Sequence, residues 1–391
     1  LGRADSLRFD TVTLLAIGAC HEALAHAGLE TIPRDGRSNS FEIAGADPRR
    51  VGVYVGTGIG GINTTLKTHL FHAMSRVRGE LSDVSNEPEA DTKTADAIAE
   101  LVGRIEVERR FNPLAVTMLM SNAVSAAPGV RFGVKGPCRT TTLACASGTA
   151  AIGDAYKAVA NGELDVALAG AAEYLYDEYG SIFRSYDITG AMTHGIDDPA
   201  MANRPFDEDR RGFLFSEGGA AILVLERADS ARARGARPLA EIAGFGESFD
   251  GHNLIAIDSA GTQVDRMIRS TLERSGMTPD DIGYINAHGT GTELNDEVEL
   301  NVLSQIFGDD VLVNSTKGLI GHTIGASGAI EAAVTALSIR DGVVHPCNNL
   351  DSPIRPMNFP LNARRAAIDA ALTQSFAFGG HNACLLIRRP A

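Results

Sequence analysis

The 391 residues carry 35 Lys and Arg against 49 Asp and Glu, a net charge of −14, which argues against general nucleic-acid binding, because that needs a basic face. Apolar residues make up 44% and charged ones 21%, the composition of a folded chain with a sizeable core, long enough for two or three domains or one large duplicated unit. No apolar run approaches the ~20 residues of a membrane span and no basic-then-apolar leader is visible, so no membrane partner is expected and the cytoplasm is the expected compartment.

Short β-forming runs alternate with helical stretches. In chain order the pattern predicts a helix over Thr11 to Ala27, a strand over Val51 to Val55, a strand over Thr140 to Ala144 and a helix over Gly148 to Ala160. Strands over Val166 to Ala169 and Ala220 to Leu225 follow. Ala231 to Pro238 (ARARGARP) reads as a connector. Beyond it come a helix over Val264 to Ser275, a strand over Ile282 to Asn286, a helix over Val298 to Phe307, a strand over Val311 to Asn314, a helix over Ala329 to Arg340 and a strand over Cys384 to Ile387. This mixture argues for an α/β fold with helices covering sheets. The connector separates two halves of similar texture, 1–229 and 239–391, with no visible residue-level repeat between them.

Two segments of the first half have competing readings. Gly56, Gly58 and Gly61 in GTGIGG satisfy the dinucleotide fingerprint after a strand. No second strand ending in an acidic residue follows at the required ~20 residues, so a tight strand-to-helix turn is the better explanation. Residues 84–110 open as a polar loop around Pro88; Ile98, Leu101, Val102 and Ile105 then share one helical face. A surface helix packed on the body is favoured over a partner or channel-mouth element.

The chemistry concentrates at three strand-to-helix turns. The five cysteines, at 20, 138, 145, 347 and 384, are odd in number and form no CxxC pair, which disfavours a disulfide framework or a zinc ribbon. Cys145, in TTTLACASGTA, follows a β-branched run and precedes small residues and a helix. Unpaired N–H groups at a helix N-terminus stabilise a thiolate, so a lowered pKa and a reachable sulfur are expected. His288 in INAHGTGT and His322 in STKGLIGHTIGASGAIE occupy matching positions at strand ends, where α/β folds place their ligands. Lys317 and Glu331 flank His322 in sequence and are expected to set its protonation and orientation. SFAFGGHN (375–382) reads either as a hairpin between core strands or as a backbone donor and aromatic gate beside the sulfur.

The order Cys145, His288, His322 in these contexts resembles the Cys-His-His triad of the β-ketoacyl-carrier-protein synthases, closest to synthase II and the type II polyketide ketosynthases. GPCRTTTLACASG, HGTGTELND, STKGLIGHTIGASGAIE, SFAFGGHN and RPFDEDRRGFLFSEGGA (204–220) carry the resemblance over nearly the whole chain. It implies a thiolase-like fold, two similar α/β halves in a five-layered αβαβα arrangement. It also implies a usual first strand that this sequence lacks, as expected of a truncated record. Leu143 stands where Thr is common, His381 where Thr or Asn is common, and 84–110 is longer than the usual loop.

The resemblance further implies decarboxylative Claisen condensation. An acyl chain on Cys145 is extended by malonyl-carrier protein, with substrates on the phosphopantetheine of acyl carrier protein and no bound cofactor or metal. The backbone N–H groups of Cys145 and Phe378 would form the oxyanion hole, and His288 and His322 would bind the extender's carbonyl. Thr290 and Thr292 would contact pantetheine, Asp296 would act in support, Met120 would line the acyl channel, and Arg3 and Arg8 would dock the carrier. A homodimer, or a heterodimer with a similar ketosynthase-like or chain-length-factor subunit, is expected across residues 139–144. The alternatives are a non-catalytic chain-length factor, opposed by Cys145, and a coenzyme A-dependent thiolase type, opposed by His322 with Lys317.

Overall fold

The computed structural model describes residues 2–34, 39–86, 91–104 and 111–390. A helical turn Arg3–Ser6 precedes α1 (Thr11–His26), which Asp10 caps by accepting the N–H of Val12 at 3.1 Å. Then follow β1 (Val51–Gly56), α2 (Ile62–Ser85), α3 (Thr92–Arg104), α4 (Ala115–Leu119), α5 (Ala123–Arg131) and β2 (Cys138–Thr141). The first half closes with α6 (Ser147–Ala160), β3 (Val166–Tyr174) and β4 (Gly218–Glu226). The second half holds β5 (Glu241–Phe249), α7 (Thr262–Arg274), β6 (Tyr284–Asn286), α8 (Glu293–Phe307), β7 (Leu312–Asn314), α9 (Ser327–Asp341), β8 (Ala370–Ala377) and β9 (His381–Arg388).

Two sheets result. The first has the order β2-β1-β3-β4, the second β5-β9-β8-β6-β7. In each, a central strand is parallel to both neighbours, β1 between β2 and β3, β6 between β7 and β8; the strand after that pair turns back antiparallel, β4 on β3 and β9 on β8. The sheets therefore repeat one topology. β5 extends the second sheet beyond β9; among the described residues nothing pairs with the corresponding edge of β4, whose nine residues are all half-buried. Helices α6 and α9 lie between the sheets, α1 and α5 cover the outer face of the first, and α7 and α8 that of the second. This is the five-layered αβαβα arrangement.

The middle layer is thin because its residues are small. Ala146, Ala150, Ala155, Ala158, Ala326, Ala329 and Ala332 all belong to the central core. Glycine sets the closest approach: a Cβ on Gly328 would meet Thr149 Oγ1 at 2.1 Å, and one on Gly148 would meet the Ala329 nitrogen at 2.7 Å. The N-termini of α6 and α9 thus abut at the molecule's centre.

Most expected elements stand where the pattern puts them, within a few residues. The expected strand over Thr140 to Ala144 ends earlier, at Thr141. Ala144 to Ala146 instead form a 3-10 turn. Helix α2 follows the glycine turn, as a strand-to-helix turn requires, but its extent was not expected, and strand β5 has no counterpart in the sequence pattern. In α2 only Asn63 and Thr64 are buried, so it has no core-facing stripe to detect. The helix expected after Pro88 is α3; Pro88 and Ile105 lie outside the described residues. It has no buried residue and packs on α2, with Ile98 and Val102 half-buried and Leu101 exposed, rather than on the body. No helix among the described residues is long and apolar enough to cross a membrane.

Candidate active site

Cys145 sits at the bottom of a cleft of about 400 Å³ between the two halves. The chain leaves β2 and turns sharply: Leu143 N–H donates to Ser147 Oγ at 2.8 Å, and Ala144 takes φ +44°, a conformation costly for a residue with a Cβ. That turn aims the sulfur into the cleft. Cys145 is 5% exposed, and its Sγ lies 3.1 Å from His322 Nε2. Its own backbone N–H and that of Phe378 both favour the thiolate. The expected lowering of the thiol pKa does not occur. Burial pushes it up to about 11, outweighing Lys317 and the two N–H groups. The resting group is a thiol that hands its proton to a base, and His322 is the base in reach.

Both histidines are neutral at pH 7. Burial, reinforced by the Lys317 charge, holds each well below the ordinary imidazole value. Their rings stand edge to face, 5.5 Å apart. Their hydrogen bonds differ. His322 Nδ1 lies 2.9 Å from Ser327 Oγ. His288 Nδ1 faces Lys317 Nζ at 3.2 Å, and the same ammonium donates to the His288 carbonyl at 2.7 Å and to Glu331. An ammonium can only donate, so it fixes His288 Nδ1 as acceptor and the proton on Nε2. The expectation that Lys317 and Glu331 orient His322 is therefore corrected. Five residues of sequence separate Lys317 from His322, but the helical turn Lys317–Ile320 directs its side chain to His288.

Phe378, Thr290 and Thr292 line the cleft with the triad, and the two threonine hydroxyls are 2.9 Å apart. Asp296 is buried and touches neither histidine. It accepts the N–H groups of Phe206 and Gly291, with Arg210 3.9 Å away, and so braces the turn that carries Thr290 and Thr292. Segment 375–382 joins β8 to β9, with φ +91° at Gly379 and +82° at Gly380. It is thus both a hairpin and the support of the Phe378 N–H. Met120 does not line this cleft; it ends α4 and is 41% exposed. Arg8 is exposed and also outside it. Arg3 opens the first helical turn, and its side chain lies outside the described residues.

Two buried glutamates at the site have no counterpart in the sequence reading. Glu299 accepts the N–H of His288 at 2.6 Å and of Gly289 at 2.7 Å, and the Gln374 side chain at 2.6 Å. Glu173 accepts Thr57 Oγ1 at 3.2 Å, Gly325 N–H at 3.2 Å and the Gly58 N–H. The glycine turn rejected as a dinucleotide site thus has a purpose of its own. A Cβ on Gly58 or Gly325 would meet Glu173 Oε2 at 2.6 or 2.4 Å, so only glycine lets both turns close on one carboxylate. Burial raises both acids to about 7. The one available signal was Glu299, eleven residues after His288 and on the buried face of α8.

Comparison with known proteins places residues 2–231 in the "Beta-ketoacyl synthase, N-terminal domain" family and 239–351 in the "Beta-ketoacyl synthase, C-terminal domain" family. A relative from Rhizobium meliloti, 3-oxoacyl-[acyl-carrier-protein] synthase 2, is 36% identical over 82% of this chain and 80% of its own. Among solved structures, a beta-ketoacyl synthase from Burkholderia phymatum superposes with a TM-score of 0.80 at 30% identity, covering 100% of this chain and 85% of that one. A type II polyketide ketosynthase solved with its acyl-carrier protein superposes at 0.81, covering 98% of this chain and 86% of that one; at 23% identity it speaks for the fold alone.

Proposed function

The chain belongs to the β-ketoacyl synthase family, and on that premise we propose that it is an acyltransferase elongating a fatty acid or polyketide chain by two carbons through Cys145, His288 and His322. The observation that carries the assignment is the sulfur 3.1 Å from a neutral His322 Nε2, with His288 beside it locked as a donor. The division at 230–238 is part of the proposal. It is supported by the strands of one sheet lying within 51–226 and those of the other within 241–388.

In the first half-reaction His322 Nε2 takes the thiol proton as Cys145 Sγ attacks the acyl thioester of a carrier protein. The oxyanion forms against the N–H groups of Cys145 and Phe378; removing one such donor typically costs ~3 kcal/mol in the transition state. The C–S bond to the pantetheine breaks, and the departing thiolate takes the proton from His322 and leaves as the thiol. In the second, the malonyl thioester oxygen accepts hydrogen bonds from His288 and His322. Carbon dioxide leaves, and the electron pair it leaves behind becomes an enolate held by those donors. The enolate carbon attacks the Cys145 thioester, its C–S bond breaks, and the expelled Cys145 thiolate takes a proton from solvent. Thr290 and Thr292 hold the pantetheine in the cleft mouth.

Intact-mass analysis tests this. The protein incubated with an acylated carrier should gain one acyl mass and lose it when malonyl-carrier protein is added. Cys145→Ala should do neither. Acylation that persists in Cys145→Ala would move the nucleophile elsewhere.

A further inference from the structure

Each half enters its central helix through the same three residues. Ala146-Ser147-Gly148 leads into α6 and Ala326-Ser327-Gly328 into α9, each after a 3-10 turn whose first residue has positive φ, Ala144 at 44° and Ile324 at 49°. The two serine hydroxyls accept alike, each from the N–H four residues earlier. Ser147 Oγ accepts the N–H of Leu143 at 2.8 Å, and Ser327 Oγ accepts the N–H of Thr323 at 3.1 Å. Their other partners differ. The Ser147 hydroxyl meets only backbone carbonyls, those of Ala144 and Thr57. The Ser327 hydroxyl lies 2.9 Å from His322 Nδ1 and 3.0 Å from Thr323 Oγ1. With one lone pair engaged by Thr323 N–H, it keeps one proton and one lone pair. When Nδ1 carries a proton, it donates to Ser327, which donates to Thr323 Oγ1. When Nδ1 is bare, Ser327 donates to it.

We propose that Ser327 is a positioning residue that pairs His322 Nδ1 in either tautomer, and so lets one imidazole serve as base in the first half-reaction and as donor in the second. The inference rests on the acyl-transfer reading above. Taking the Cys145 proton needs a lone pair on Nε2 and therefore a proton on Nδ1. Donating to the extender's oxygen needs Nε2–H and therefore a bare Nδ1. His288, with the Lys317 ammonium on Nδ1, is locked in the second state; His322 is locked in neither. Interconversion exchanges one Nδ1 proton for one Nε2 proton with solvent between half-reactions, and the ring stays neutral. In a buried site an unpartnered ring nitrogen is costly, so a partner able to reverse its role keeps both states within reach.

Selective 15N-histidine labelling of the whole protein reads the tautomer directly, with His322 identified by the signal lost in His322→Ala. The expected result is Nδ1–H in the free protein and Nε2–H once Cys145 is acylated. Ser327→Ala should hold a single tautomer in both states, with the half-reaction that needs the other slowed at least tenfold. Ser327→Thr, which keeps the hydroxyl, should restore the exchange. Ser147→Ala removes the matching turn contact in the other half; it should lower Tm comparably and leave the His322 exchange intact. A tautomer that does not change on acylation, or that changes equally in Ser327→Ala, would limit Ser327 to bracing the turn before α9 and overturn the proposal. Failure of the acyl-transfer reading would be distinct: no acyl mass on Cys145, whatever the tautomer.

Discussion

Lys317 is buried with Glu331 and donates to His288, so one side chain holds an ion pair and a tautomer together. The two duties separate by mutation. Lys317→Met strands the Glu331 carboxylate, one oxygen of which already lacks a partner, and loss of one member of a buried pair typically costs ~3–5 kcal/mol. Adding Glu331→Leu removes the stranded charge and should recover most of the lost Tm. Malonyl decarboxylation should stay abolished in the double variant, because His288 Nδ1 still lacks its donor; decarboxylation that recovers with Tm would limit Lys317 to a structural role. The buried acids make a second expectation. Glu173 and Glu299 are raised from 4.5 to about 7, so the folded state holds protons that the unfolded chain has released. Their contribution is complete below about 4.5 and is lost as pH rises through 7. His288 and His322 act oppositely, adding stability as pH rises toward 6.5. The imidazole gain, to which His345 adds, is half complete at 6.5 and tails off above it while the acids still release protons, so the urea midpoint should fall between about pH 7 and 8, and Glu299→Gln should flatten that fall. A midpoint that rises there would contradict the burial argument. The triad was legible because each member follows a β-branched or apolar run and precedes small residues. The glutamates were not, since a buried acid in a helix or strand looks like any charged residue until its N–H partners are seen.

At the scale of elements, the Ala-Ser-Gly entrances of α6 and α9 explain how the two halves meet. The repeat escaped the sequence reading because three small residues carry it and the flanking residues, Cys145 and Gly325, differ. Strands with alternating or continuous apolar residues were readable in outline. β5 was not, because half of it is only partly buried and Gly244 and Gly246 interrupt its β-forming character. The glycine contact makes an expectation of its own. In Gly328→Ala the new Cβ would fall 2.1 Å from Thr149 Oγ1 and 2.8 Å from Ser375 Oγ, with the Thr149 backbone nitrogen at 2.9 Å. Backbone cannot swing aside as a long side chain does, so the N-termini of α6 and α9 must part. Overpacking of this kind typically costs ~1–3 kcal/mol. Because those ends carry Cys145 and the His322 turn, turnover should fall by more than the fraction unfolded accounts for. A Gly328→Ala protein with unchanged Tm and turnover would show that the helices are not in contact there.

For the whole molecule, the edge strand β2 is the feature that points to a second copy. Among the described residues it ends the first sheet, and Cys138 and Arg139 on it are exposed. An open edge presents a row of unpaired N–H and C=O groups. Val53 N–H donates to Pro137 carbonyl and Thr57 N–H to Thr141 carbonyl, so residues 137, 139 and 141 face β1. By the two-residue period of a strand, the amides of Cys138 and Thr140 then point outward. Helix α5 packs against this edge and leaves Val130 71% exposed; α4, which packs on α5 and α2, leaves Val116 63% and Met120 41% exposed. Exposed apolar side chains on the helices beside a strand edge left unpaired among the described residues fit a self-complementary contact in which β2 pairs with its two-fold mate. Sedimentation at micromolar concentration should therefore give twice the 41.2 kDa chain mass. Proline is tolerated at an outward-facing edge amide but removes the donor. Thr140→Pro should sediment as a monomer with unchanged circular dichroism. The substitution also removes the Thr140–Ser125 hydroxyl contact of 2.8 Å. Thr140→Val removes that contact alone, and it should remain dimeric. A Thr140→Pro protein that still sediments as a dimer would place the interface on another surface.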